Sequence, residues 1–124
     1  MTHQLHEEVD QLAEAVTAGQ VKNVTQEVFE RYPGKKLAAQ IKNSSRWGSA
    51  GSAGADLNSS YMGMTWSGNW DTNKNQYRVM GSDKSKTTWH ASPEKAARAL
   101  RKLVRDEVRA KLEQIAARRA KKSA

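Results

Sequence analysis

The sequence predicts an α+β fold: N-terminal helices, then a three-stranded antiparallel meander packed on a long C-terminal helix. Three observations predict it. From Ser92-Pro93-Glu94-Lys95 to about Arg119, a helix-start signature opens an unbroken run rich in Ala, Leu, Lys, Arg and Glu. Before it, Ser60 to Ala91 alternates with period two and is interrupted by two turn clusters. Residues 1–43 carry apolar side chains at helical spacing.

Composition bounds the rest. At 124 residues and 37% hydrophobic, the chain can build one modest core. Mean hydropathy is −0.85, and no apolar run approaches the ~20 residues of a membrane span. Nothing resembles a secretory leader, so a cytoplasmic location is expected. Cysteine is absent, which excludes disulfides, Cys-ligated zinc, iron–sulfur clusters and thiol catalysis. The net charge of +8 is unevenly spread: residues 1–31 hold six carboxylates against Lys22 and Arg31, a net of −4, leaving +12 for the remainder. That asymmetry points to a polyanionic partner for the C-terminal part.

Taken in order, residues 2–18 form an amphipathic helix with Leu5, Val9, Leu12 and Val16 on one stripe, ended by Gly19. Its other face is acidic. The stripe suits docking on the body or a homodimer with a second copy. His3 and His6 lie one turn apart without a further ligand nearby, so they are read as exposed and unliganded. A second helix starts at Asn23, with Gln26 as capping-box partner, and presents Val24, Val28 and Phe29. It stops before Tyr32-Pro33-Gly34. A third, Lys35 to Asn43, presents Leu37, Ala38 and Ile41. The pair has the outline of a helix-turn-helix, but a plain helical hairpin explains it as well.

Residues 44–60 are read as a flexible Gly/Ser loop in which Arg46 and Trp47 could clamp a nucleic acid. Its glycines match neither phosphate-binding spacing, so a nucleotide site is rejected. Residues 61–119 make the sheet-plus-helix module, and 120–124 a frayed basic tail. Met62, Met64 and Trp66 share one side of the first strand, Gln76 to Met80 is the second, and Lys86 to His90 the third. Ser67-Gly68-Asn69, Asp71 to Asn75 and Gly81-Ser82-Asp83-Lys84 read as turns. On the last helix Ala96, Leu100, Leu103, Val104 and Val108 gather opposite a ridge of Arg98, Arg101, Lys102, Arg105 and Arg109.

Four tryptophans with a single phenylalanine are many for this length. Trp66 and Trp89 are expected in the core, Trp47 and Trp70 at a contact surface. Alternation sends Arg78 to the face opposite Tyr77 and Val79, with Lys74, Lys84 and Lys86 bordering the turns. Rings interleaved with cations are what nucleic-acid surfaces use. His90 has no carboxylate partner in its local sequence, and no carboxylate pair has the spacing of a hydrolase. No enzyme, no cofactor and no metal site are therefore expected.

The run Trp89-His90-Ala91-Ser92-Pro93-Glu94-Lys95-Ala96-Ala97, following Tyr77-Arg78-Val79 and a Gly-containing turn, resembles the end of an AP2-like domain. Such domains occur in plant transcription factors, homing endonucleases and the arm-binding parts of phage integrases. The resemblance spans roughly Trp66 to Leu103. It implies that the sheet enters the major groove and that Arg78, Lys84 and Lys86 face DNA. A double-stranded-RNA-binding domain shares the helix, strands, helix order but not the lysine cluster opening its last helix. The expected function is small, non-catalytic nucleic-acid binding, DNA before RNA. The alternative is an accessory protein of mobile-element type that binds and inhibits a protein partner.

Overall fold

The computed structural model describes residues 16–46, 54–59, 62–83 and 85–123, without the side chains of Ser45, Arg46 and Ser123. The α+β expectation holds, with one more strand than expected. Helices α1 (Ala18–Val28) and α2 (Lys36–Arg46) precede strands β1 (Ala55–Ser59), β2 (Met64–Asp71), β3 (Gln76–Met80) and β4 (Thr88–His90), and α3 (Pro93–Ser123) follows. The strands form one antiparallel sheet in the order β1-β2-β3-β4. All three helices lie on one face: α3 over β2, β3 and β4, α2 over β1 and β2, and α1 against β1 and α3.

Helix α1 starts earlier than expected. Thr17 and Gln20 form a reciprocal capping box, Thr17 Oγ1 accepting from the Gln20 amide at 3.2 Å and Gln20 Oε1 from the Thr17 amide at 3.0 Å. Such a cap contributes about 1 kcal/mol, roughly what Gly19 costs inside a first turn. So Gly19 sits within α1 and does not end a preceding helix. Most of the expected first helix, with Leu5, Val9 and Leu12, lies outside the described residues. Gly34, at φ +58°, makes the left-handed turn between α1 and α2.

The expected flexible loop over 44–60 is overturned at both ends. Ser44 belongs to α2, where its hydroxyl donates to the Ile41 carbonyl at 2.6 Å and accepts from the Trp70 amide at 2.8 Å. Residues 55–59 form β1, burying Ala55, Leu57 and Ser59 and exposing Asp56 and Asn58. Its short, weakly apolar sequence does not carry it. Pairing with β2, Leu57 opposite Trp66, supplies the backbone hydrogen bonds instead. Ser67-Gly68-Asn69 likewise is strand interior, not a turn. Gly68 lies where α2 and α3 both approach the sheet, and a Cβ there would stand 3.0 Å from Ile41 Cδ1 and 3.3 Å from Leu100 Cδ2. The glycine serves close approach.

The core is built from Leu37, Ile41, Trp66, Val79, Leu100, Val104 and Val108, all nearly or fully buried. Within it lies Glu107, 7% exposed, whose Oε2 accepts from the Trp66 indole at 2.8 Å and from the Ser82 amide at 3.2 Å. Residues 120–122, expected as a tail, continue α3. Helix α3 runs through them because Arg, Ala and Lys favour helix and the terminal cations suit its negative end.

Candidate nucleic-acid interface

The helices leave one face of the sheet uncovered among the described residues. Strand alternation and register decide what it presents. Trp66, Gly68, Tyr77 and Val79 turn inward, so Ser67, Asn69, Arg78, Met80 and Trp89 turn outward. Asn69, Arg78 and Trp89 stand side by side across β2, β3 and β4. Arg78 Nε donates to Asn69 Oδ1 at 3.3 Å.

Trp89 is 38% exposed, the large hydrophobic side chain left open among the described residues. That corrects its expected place in the core: the register with Arg78 puts it on the uncovered face. Its indole N–H donates to Asp71 Oδ2 at 2.9 Å, and Lys74 Nζ lies 5.0 Å from its ring centroid. Asp71 Oδ1 accepts from the amides of Asn73 and Lys74 at 3.0 and 3.3 Å. The Trp89 bond first, then those amides and the Arg78 charge, hold the Asp71 carboxyl below the usual range. Both oxygens of this carboxylate are thereby engaged in organising the cation and the ring beside it. Asn75, at φ +54°, closes the turn in the left-handed conformation Asn tolerates.

The remaining predicted residues fall elsewhere. Trp70 is half-buried on the helix side, edge-on to Tyr77 with centroids 4.9 Å apart, because strand parity turns it inward. It is not a contact residue of the open face. Lys86 lines a depression with Lys111, Asp83 and Glu107, away from Lys74. Trp47 and Lys84 lie outside the described residues, as does the Arg46 side chain.

The ridge divides. Arg98 is exposed and has no partner among the described residues. Arg101, Lys102, Arg105 and Arg109 line a groove of about 780 Å³ between α1 and α3, in the helical layer. Arg101 donates to the Gly34 carbonyl and lies 5.7 Å from the Phe29 ring centroid. Lys102 pairs with Asp106 at 2.8 Å, and Arg109 donates to the Val16 carbonyl at 3.5 Å. Sheet face and groove are separate surfaces.

Sequence reasoning missed Asn69, read as turn, and Glu107, which no local pattern marks. What places Trp89 on the open face is its register directly opposite Arg78, which alternation within one strand does not reveal.

His90, at the end of β4, lies 2.8 Å from Thr88 Oγ1 through Nε2. Burial, then the nearby Lys95 charge, pushes its pKa below the ordinary 6.5. The fold therefore favours neutral His90, and the unfolded chain takes up the proton at higher pH. Stability from this group is complete above pH 6.5 and is lost as pH falls below it. Urea unfolding from pH 7 to about pH 5.5 should show this decline, and His90→Gln should flatten it.

Among the described residues, no group of three or more His, Asp or Glu is placed to hold a metal ion, and no helix is long and apolar enough to cross a membrane. No known family, curated protein or solved structure matches the chain.

Proposed function

We propose that this is a small, non-catalytic nucleic-acid-binding protein of the cytoplasm, DNA favoured over RNA, that binds through the open face of its sheet. The observation that carries the reading is the Asn69–Arg78–Trp89 row with Lys74 over the ring. It combines a guanidinium and an ammonium for phosphates or base edges, an amide for base edges, and a ring for stacking. The likeness to AP2-like modules, which dock a sheet in the major groove, supports DNA over RNA. Helix α3, with eleven cations against four carboxylates, supplies long-range attraction.

Fluorescence anisotropy with labelled duplex DNA, single-stranded DNA and RNA at two salt concentrations tests this. Binding should weaken with salt, by about 0.9 in log–log slope per phosphate neutralised on duplex DNA. Absence of binding to all three at low salt would overturn it. If one stoichiometric protein were then retained from nuclease-treated lysate, the inhibitor of a protein partner would be the better reading.

A further inference from the structure

We infer that the groove between α1 and α3 is the docking site for this chain's own N-terminal segment, residues 1–15. The groove has an apolar floor of Ala18, Val21, Phe29 and Tyr32 beneath a wall of cations from α3, with Lys22 opposite. Of that wall, Arg101, Lys102 and Arg109 are engaged as described, whereas Arg105 has no partner among the described residues. The occupant that fits is apolar on one side and acidic elsewhere.

Residues 1–15 have that character. They contain Glu7, Glu8, Asp10 and Glu14 and no lysine or arginine. At 100° per residue, Leu5, Val9, Leu12 and Val16 fall within about 60° of one another, with Glu8 roughly 70° to one side and the other acids opposite. The last member of this stripe is already seated: Val16 is 9% exposed in the core cluster, and its carbonyl is held by Arg109 at one end of the groove. The chain therefore enters the groove's mouth at Val16. Folded back along α1 as a helix, the 14 residues from Thr2 to Ala15 would reach about 21 Å, and the stretch from Ala18 to Phe29, α1 with its C-cap, spans about 18 Å. The length suffices to cover the floor as far as Phe29. Apolar burial supplies most of the affinity. The carboxylates, within about a Debye length of Lys22, Lys102 and Arg105, add a smaller salt-sensitive part.

The inference stands apart from the nucleic-acid reading, because the groove lies on the other side of the molecule from the open sheet face. The chain has no cysteine, so a single nitroxide can be placed on the full-length protein at Gln26→Cys, in the groove, or at Ser85→Cys, in the exposed turn between β3 and β4, at the other end of the sheet order from the β1 strand that α1 touches. With the labelled protein diluted into an excess of unlabelled chain and no nucleic acid present, amide signals of Leu5 to Val9 should broaden from the first position and not from the second. Leu12→Asp, which sets a charge in the stripe, should abolish the effect. No broadening would overturn the inference. So would broadening that persists in Leu12→Asp, which the tether alone would explain, or broadening that vanishes on dilution, which would assign the groove to a second copy.

Discussion

Trp66→Ala is expected to cost about 3–5 kcal/mol of stability, the range for emptying a large aromatic site in a packed core. Trp66 is 2% exposed beneath α3, and its loss would also strip a donor from buried Glu107. The carboxylate would keep only the Ser82 amide on Oε2, and Oε1 has no hydrogen-bond partner among the described residues. Trp66→Phe separates the two effects. It keeps most of the ring volume and removes the indole N–H, so it should cost about 1.5–3 kcal/mol, the worth of a hydrogen bond to a charged group. Urea unfolding reads both, as a lowered midpoint at unchanged slope. Pairing Trp66→Phe with Glu107→Leu, which leaves no acceptor for the indole, in a double-mutant cycle should reveal coupling above about 0.5 kcal/mol. Strict additivity would mean that the indole–carboxylate bond contributes nothing.

Trp89→Ala should lower nucleic-acid affinity by about 5- to 150-fold, the 1–3 kcal/mol of one stacked base, with little effect on unfolding. The ring is 38% exposed and packs on an open face, so its removal leaves no cavity. Arg78→Ala and Lys74→Ala should each reduce the salt slope by about 0.9 if each meets one phosphate of duplex DNA. Lys102→Ala and Arg105→Ala in the groove should leave affinity within about two-fold of the parent, apart from a small long-range effect. The reverse pattern, loss in the α3 variants and none in Trp89→Ala, would move the binding surface to the helical layer.

Elements that rest on local chemistry were readable without coordinates. Ser92 caps α3, its hydroxyl accepting from the Lys95 amide at 3.2 Å, and Pro93 opens the helix. Period-two alternation placed β3 and turned Arg78 away from the helices. Of the expected stripe, Ala96, Leu100, Val104 and Val108 are buried as their spacing required, and Leu103 is half-buried at its edge. Gly68 and β1 were misread because both depend on partners distant in sequence. A glycine in a turn and one beneath two crossing helices look alike along the chain, and β1 is a strand only because β2 lies beside it.

The sequence by itself determined the α+β class, the capped C-terminal helix with its opposed faces, and the charge imbalance between the two ends of the chain. Each follows from near-neighbour periodicity, capping or composition. The tertiary structure decided which surface each cation belongs to. It brought Trp89 beside Arg78 and Asn69 on an open face, turned Trp70 inward, and folded α1 against the arginines of α3. Strand register and helix packing are set by side chains tens of residues apart, and no local pattern encodes them.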